Sequence, residues 1–487
     1  MAAGTRADEE LIAVGLDLGT SGARAVAMSL TGQLVGEGRS RFPADATTVN
    51  GPVIEQDPQA WTQAARDALR QLVTALPGGH QIVGVAVDAT SGTFLLTDQD
   101  ARPLTPGIMY SDLRAADLAG EAAAALDADL APYGIQIAAA FALPKLMHFA
   151  RTAPELFARA RRVVHQTDWI VGMLCGRYDV TDVSTALKTG VNPGGLHWPM
   201  AVEQLGIPRE LLPEVVSPGS VVGHVTAEAA RTTGLPQGVP VVAGCTDGTA
   251  GCLASGARQP GDLNVTLGTT LVFKAIATQP VKDPQGALYN HRHPQGGYLP
   301  GAASSTGGDW IEHFFGGADL AALNAAALRH LPTNHLAYPL VKTGERFPFA
   351  CPRATGFGLD SGRDDTFRFA TGLEGVAYIE RLAIDRLQSL GLGIGPTVYA
   401  TGGGSASELW LRIRAAVNER AYSVPRYAEC AVGAAVLAAM PLLGSCAAAV
   451  SHIIRSGRTV DPEPAWVESY RERYPRFIAA LRERGYL

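Results

Sequence analysis

Two stretches of this chain gather hydroxyls and a carboxylate around glycines at places where a turn needs only the glycines. The first is LDLGTSGARAVAM, residues 16–28, which sets Asp17, Gly19, Thr20, Ser21 and Gly22 at one corner. The second is VTLGTTLVFKAIA, which sets Gly268, Thr269 and Thr270 at another. Glycine lets the backbone approach a ligand closely, and successive backbone N–H groups form anion-binding concavities. Hydroxyls add donors, so a pair of such corners suits a polyphosphate. Asp17 suits Mg²⁺ bound through waters, because that ion takes few carboxylates and keeps much of its hydration. The plainer reading of Asp17 is a turn carboxylate.

These corners need strands to carry them. LIAVGL (11–16), ARAVAMSL and TGQLVGEGRSRF, with a turn at Thr31-Gly32, predict three antiparallel strands in a meander. DPQAWTQAARDALRQLVTAL (57–76) predicts a helix capped by Asp57, with Pro58 in its first turn. QIVGVAVDAT (81–90) predicts a buried strand ending in a polar cluster. Three strands, a helix and a strand open a ribonuclease H-like unit.

The same order recurs about half the chain later. GDLNVTLGTTLVFKAIA (261–277) reads as strand, corner and strand, GLEGVAYIERLAIDRLQSLG (372–391) as a helix, and TVYATGGG (397–404) as a strand running into a glycine corner. VPVVAGCTDGTAGCLASGA (239–257) and YSVPRYAECAVGAAVLAAM (422–440) share a third plan: strand, polar turn, small-residue helix. Matching Gly251 with Gly433 puts Glu429 at the place of Asp247. Three pairs in one order argue for internal duplication. The expected fold is α/β, with two duplicated ribonuclease H-like domains around a central cleft and the two corners facing each other.

Composition agrees with a large enzyme. The chain has 487 residues, 47% hydrophobic and 18% charged, with a net charge of −6 and no basic tract. Those values argue against disorder and against nucleic acid or an anionic membrane as a partner. MAAGTRADEE lacks a basic segment followed by an apolar one, so no signal peptide is expected. The run 430–450 is apolar, but it is rich in Ala and Gly and broken by Pro441, which favours a core helix over a membrane span. Six cysteines without CxxC spacing indicate neither a disulfide framework nor a zinc site, and a cytoplasmic location is expected.

Five motifs in order, DLGTSGAR (17–24), AGCTDGTAG (243–251), TLGTT (266–270), SSTGGDW (304–310) and TGGGSASELW (401–410), resemble the FGGY carbohydrate kinases over roughly residues 10–440. The resemblance extends to the actin, Hsp70 and hexokinase superfamily. It implies ATP and Mg²⁺ as cofactors, a small-molecule sugar as acceptor, and a monomer or homodimer. It implies Asp17 beside Mg²⁺ and the transferred phosphoryl group, with Gly19, Thr20 and Ser21 near the γ-phosphate. Gly268, Thr269 and Thr270 would meet the β- and γ-phosphates, and Gly307 and Gly308 would line the nucleotide site. Gly402, Gly403, Gly404 and Ser405 would lie beneath the α-phosphate and adenosine, with Ser407 and Trp410 at adenine. Ser407 stands where related pentulose kinases often carry Asn.

The resemblance makes Asp247 the catalytic base. A carboxylate at a helix start, after a buried strand, can accept the proton of an attacking hydroxyl. The bland alternative is an N-cap. Asp88, Thr90 and Ser91 in DATSGTFLLTD supply a carboxylate and two hydroxyls, which suits a polyol acceptor. That cluster, with VTDVSTALKTGVN (180–192) and GGYLPGAASSTGGDW (296–310), is similar to the D-ribulose kinases, so D-ribulose is favoured and D-xylulose or another polyol comes second.

Asp112 and Arg114 resemble the family's Asp-x-Arg element, with a surface ion pair or a helix cap as the equal alternative. Lys145, Asp168 and Trp169 fall where the sugar is usually covered, and Trp169 reads equally as core. His148 and His165 read as structural and Cys245 as a buried small residue. The expected domains are 10–255, with sugar-binding insertions at about 98–235, and 256–440, followed by a helical tail at 441–487 without assignable chemistry. An actin- or Hsp70-like ATPase without a sugar acceptor is the rival reading. The 47 residues after 440 are too few for a peptide-binding domain.

Overall fold

The computed structural model describes residues 10–359 and 364–487. All but the last residue of the N-terminal decapeptide read for a leader lie outside them. The chain packs as two compact units. Unit 1 holds the chain up to Ala254 together with His291–Gly296 and Glu429–Arg455, and unit 2 holds the remainder.

Unit 1 is built on a six-stranded sheet: β1 (Glu10–Leu18), β2 (Gly22–Ser29), β3 (Leu34–Arg41), β4 (His80–Ala89), β5 (Val221–His224) and β6 (Pro240–Thr246). The order is β5-β6-β4-β1-β2-β3. The meander β1–β2–β3 is antiparallel. β4 runs parallel to both β1 and β6, and β5 closes the edge antiparallel to β6. Helix α1 (Pro58–Ala75) starts as the sequence dictates, with Asp57 accepting from the Gln59 N–H at 2.9 Å and Pro58 at its first position. It turns Trp61, Ala65, Ala68, Leu69 and Leu72 inward against β2 and β3. Each large apolar side chain buried this way contributes about 1.5–3 kcal/mol.

Between β4 and β5 the chain inserts a second core, which includes Phe94, Ile108, Leu143, Leu146 and Leu187. A five-stranded sheet joins three strands of this insertion (Phe94–Thr97, Gly107–Ile108 and Arg162–His165) to the earlier hairpin of Thr47–Asn50 and Val53–Gln56.

Unit 2 is built on the sheet of β7 (Leu263–Leu267), β8 (Leu271–Ala275), β9 (Tyr289–Arg292), β10 (Tyr298–Ala303), β11 (Thr397–Thr401), β12 (Ala421–Pro425) and β13 (Ser456–Val460), in the order β9-β10-β8-β7-β11-β12-β13. β7–β8 and β8–β10 are antiparallel, β11 is parallel to β7 and β12, and β13 is antiparallel to β12. Strand for strand, β10-β8-β7-β11-β12-β13 repeats β3-β2-β1-β4-β6-β5. Helix α3 (Asp365–Ser389) takes the chain position of α1, between the meander and the next parallel strand. The expected duplication is therefore present in the topology.

Two regions depart from the sequence reading. Residues 441–487 are not wholly helical, because β13 completes the second sheet. Its sequence, SGRTV, is short and mostly polar and sits at an edge, which hides it from pattern reading. Helix α7 (Pro464–Glu483) follows and buries Trp466, Tyr470, Phe477 and Leu481.

Helix α5 (Cys430–Leu443), near the end of the expected 256–440 domain, packs with unit 1. Its small side chains let it lie directly on β1, where a Cβ on Gly15 would come within 1.8 Å of the Ala431 carbonyl oxygen. Among the described residues no single helix is long and apolar enough to cross a membrane. α5 passes that test only together with α6 (Cys446–Ile453), across a 120° bend, and its residues Ala431–Ala439 are all buried.

Candidate functional site

In unit 1 the register of the parallel strands gathers carboxyls. Asp17 on β1 lies opposite Asp88 on β4, and Asp88 lies opposite Cys245 on β6, two residues before Asp247. Open α/β sheets bind ligands beyond such carboxyl ends. Asp88 has no exposed surface, Asp17 is half-buried and Asp247 is exposed. Burial first, and then the charge of Asp17, hold the Asp88 carboxyl well above the usual range. Burial also raises Asp17, while a hydrogen bond from Asp88 and the positive charge of Arg24 pull it back. Neither oxygen of Asp88 meets a donor elsewhere in the protein.

Among the described residues no group of three or more His, Cys, Asp or Glu side chains forms a metal cage. Mg²⁺ needs none, since one or two carboxylates and retained waters suffice. A half-buried carboxyl beside an orphaned buried one fits that ion.

Other groups surround the acids, and the sequence reading assigned them no role. Arg24 lies across from Asp17 on β2 and pairs with Glu37 at 3.0 Å and with Glu429 at 2.9 Å. That gives Glu429, which opens α5, a role in holding Arg24. The Cys430 thiol donates to the Asp247 carbonyl at 3.4 Å. Although it starts a helix, burial and then the charges of Asp88, Asp17 and Asp247 push this thiol far up, so it is not an activated nucleophile.

Asp247 opens helix α2 (Asp247–Ala254), and its Oδ1 accepts from the Gly248 N–H at 2.6 Å. The strand end before it is tied by a buried chain. The Thr246 N–H donates to Ser184 Oγ at 3.2 Å, and Ser184 Oγ donates to Asp182 Oδ1 at 2.5 Å. The same segment carries Lys188, whose Nζ donates to the Ser91 carbonyl at 2.9 Å. Burial lowers the Lys188 pKa and the charge of Asp247 opposes that shift. The run VTDVSTALKTGVN holds the signal for these residues, because a lone Lys in a run with no other charge after Asp182 reads poorly as a solvated face.

Several expected residues turn inward. The Thr90 hydroxyl donates to Gln166 Oε1 at 2.7 Å inside the protein. Asp88, wholly buried, can partner Asp17 but presents no surface to a sugar. Asp112 takes the Ile54 N–H at 2.7 Å and an ion pair from Arg114, which also reaches Glu55, so Asp-x-Arg is a buried brace. Lys145 is saturated by the carbonyls of Met109, Tyr110 and Ala140. Trp169 is core, donating to Thr62 Oγ1. His165 is buried on Asp168 and Thr189, and Cys245 is buried. Ser91 keeps a hydroxyl without a partner. Thr20 and Ser21 are exposed at their corner, and a Cβ on Gly19 would meet nothing within 4 Å.

Unit 2 holds a cavity of about 930 Å³. Gly268, Thr269, Gly308, Gly403, Gly404 and Ser407 form one part of its wall. Ile311, Leu320, Val341, Phe369 and Leu373 form an apolar part, with Lys342, His313 and Asn324 as polar points. Size and lining are those of a small-molecule site. Three loops interlock to build the glycine wall. The Gly308 N–H donates to the Gly268 carbonyl at 2.8 Å. A Cβ on Gly307 would lie 2.3 Å from the Thr269 oxygen. Gly402 has φ +83° and packs against Leu267, where a Cβ would lie 2.5 Å from its carbonyl oxygen.

Thr270 lies half-buried in the same corner. Ser405 is spent internally, its hydroxyl donating to the Thr401 carbonyl at 2.9 Å. Ser407 caps helix α4 (Glu408–Asn418) and donates to Asn324 Oδ1 at 2.6 Å. Trp410 borders the cavity but is only 2% exposed, with its N–H on the Leu373 carbonyl at 3.0 Å. Asn324, which the sequence reading missed, is a polar group that Ser407 presents to the cavity wall.

The sequence matches the FGGY family of carbohydrate kinases twice, its N-terminal domain over residues 12–254 and its C-terminal domain over 263–442. The chain is 28% identical to the xylulose kinase of Escherichia coli (strain K12) over 424 residues, covering 83% of this chain and 84% of that one. It is 25% identical to the gluconokinase of Bacillus subtilis (strain 168) over 489 residues, covering 96% and 94%. The crystal structure of a xyloylose kinase from Brucella ovis superposes with a TM-score of 0.85 at 28% identity, covering 96% of this chain and 98% of that one.

Proposed function

This chain belongs to the FGGY family of carbohydrate kinases, and we propose that it transfers the γ-phosphoryl group of ATP to a hydroxyl of a ketopentose. Kinases of this family use ATP, and the cavity in unit 2 has the size and the glycine-lined wall that a nucleotide requires. The observation that carries the acceptor half is the convergence of Asp17, Asp88 and Asp247 at the carboxyl ends of three adjacent parallel strands.

In this reading Asp247 is the general base. The acceptor hydroxyl attacks the γ-phosphorus, the new O–P bond forms as the bond to the ADP oxygen breaks, and the hydroxyl proton passes to the Asp247 carboxylate. Asp17, facing the positive charge of Arg24, would hold Mg²⁺ through waters. That ion, when bound, neutralises phosphate charge. Within unit 1, Gly19, Thr20 and Ser21 form a corner whose backbone and hydroxyls suit phosphate oxygens, and within unit 2, Gly268, Thr269 and Thr270 form another. Gly307, Gly308 and Gly402–Gly404 supply the wall along which the nucleotide lies.

D-ribulose is the first acceptor, on the strength of Ser91 in the Asp88–Ser91 cluster and of the 180–192 segment. The relatives named xylulose kinase support D-xylulose about equally. The test is a panel of ketopentoses, aldopentoses, polyols and gluconate with ATP and Mg²⁺, following ADP release. The expected result is turnover with D-ribulose or D-xylulose above all others. Turnover confined to gluconate or to an aldopentose would overturn the ketopentose assignment.

A further inference from the structure

We propose that Lys188 is an acceptor-binding residue, whose ammonium donates to the carbonyl oxygen of the ketose. The inference rests on the kinase reading above and sharpens it to one functional group of the substrate.

The two partly or wholly buried lysines of unit 1 make the case by contrast. Lys145 spends all three of its N–H donors on backbone carbonyls, those of Met109, Tyr110 and Ala140. Its role is structural. Lys188 spends one donor, on the Ser91 carbonyl at 2.9 Å, and among the described residues it makes no ion pair. An ammonium has three donors and no acceptor, so its remaining partners must be oxygen acceptors. A cation withdrawn from water without a paired carboxylate is costly, and such groups are kept where a ligand completes them.

The surroundings fix where that ligand oxygen lies. The Lys188 stem crosses Gly92, where a Cβ would come 2.7 Å from its Cδ, so the side chain has one path past that turn. It ends at Ser91, whose own hydroxyl meets no partner. Asp247 is the opposing charge it feels, yet no Lys188–Asp247 ion pair forms. The segment holding Lys188 also holds Ser184, which fixes the strand end before Asp247. Two unsatisfied donors, one a cation that the Asp247 charge reaches, thus stand together at Ser91. A ketose carbonyl is an acceptor with no proton to give, and it matches both donors. An alditol hydroxyl at the same carbon is a weaker match for a cationic donor.

The experiment compares wild type, Lys188→Met and Lys188→Arg with D-ribulose and D-xylulose and with the alditols ribitol and xylitol. An alditol that is not turned over is measured as a competitive inhibitor instead. In Lys188→Met, kcat/KM for the ketose should fall about 10- to 100-fold, as expected for a lost hydrogen bond from a charged group. The alditol should change less than about 3-fold and KM for ATP should not move, so the ketose-over-alditol preference collapses. Lys188→Arg keeps the charge but shifts the donor, and should retain part of the preference. If Lys188→Met does not fold, Lys188→Arg carries the test, since its preference must still drop. An unchanged preference in the folded variants, with wild type active on the ketose, overturns the Lys188 assignment alone. A wild type that neither turns over nor binds any ketose overturns the kinase acceptor reading and this inference with it.

Discussion

Buried carboxyls in this chain are treated in two ways, and the contrast is sharpest between Asp88 in unit 1 and three glutamates of unit 2. In unit 2, Glu345 collects the hydroxyls of Ser304, Thr306 and Tyr338 and the N–H of Ser305. Glu374 takes the Thr333 N–H at 2.8 Å and the Tyr470 hydroxyl at 2.9 Å. Glu380 pairs with Arg414 at 2.6 Å and takes the Tyr422 hydroxyl at 2.7 Å. In unit 1, Asp88 is equally buried, and neither of its carboxyl oxygens meets a hydrogen-bond partner. Buried polar groups in folded proteins are nearly always satisfied, so an orphan at a strand end is a candidate for a ligand, while saturated ones mark architecture. The duplicated scaffold is shared. What differs is whether the protein finishes the acid: the unit 2 glutamates are satisfied, and Asp88 is not.

Three substitutions break or sharpen this contrast. The largest effect on stability belongs to Glu380→Ala, which strands the Arg414 guanidinium in the core. Urea unfolding should show a loss of about 3–5 kcal/mol. Asp88→Asn should leave unfolding free energy within about 1 kcal/mol of wild type, because no hydrogen-bonded partner is lost, while ADP release with the acceptor slows. Equal stability losses in the two variants would erase the distinction. The smallest effect belongs to Ser407→Ala, which removes the cap of α4 for about 1 kcal/mol. It should also weaken nucleotide binding only a few-fold, since Asn324 remains.

A pH titration separates the two kinds of acid further. Burial pushes Glu374 up to about 7, against the hydrogen bonds from Thr333 and Tyr470. A carboxyl raised in the folded state favours folding while protonated, and that contribution disappears as pH rises from the unfolded value through about 7. The Tm of wild type should therefore fall from about pH 5 to pH 8 by more than that of Glu374→Gln. Parallel curves would show that Glu374 is already ionised in the folded protein.

The strand meanders, the glycine corners and their repetition were readable because alternating and apolar runs end at Gly-Thr turns in both halves. Asp17 and Asp247 were readable as candidates from those turns. The orphaned state of Asp88 was not, because it depends on the parallel register of β4 with β1 and β6, which no local pattern encodes. The inward turn of Ser405 and Trp410 follows from packing after β11, and both look like pocket residues in sequence. Lys188 was missed because its significance lies in its distance from Ser91, 97 positions earlier. Strand β13 was missed because an edge strand needs no apolar face.

The central claim divides the chemistry: unit 1 for proton and acceptor, unit 2 for the nucleotide. Calorimetric titration of ATP and Mg²⁺ into Asp247→Asn, alongside its turnover with the preferred ketopentose, tests it most directly. Turnover should drop about 10²- to 10⁴-fold, while nucleotide affinity stays within about 2-fold of wild type. A nucleotide affinity that falls as steeply as turnover, or a turnover that does not fall, would contradict it.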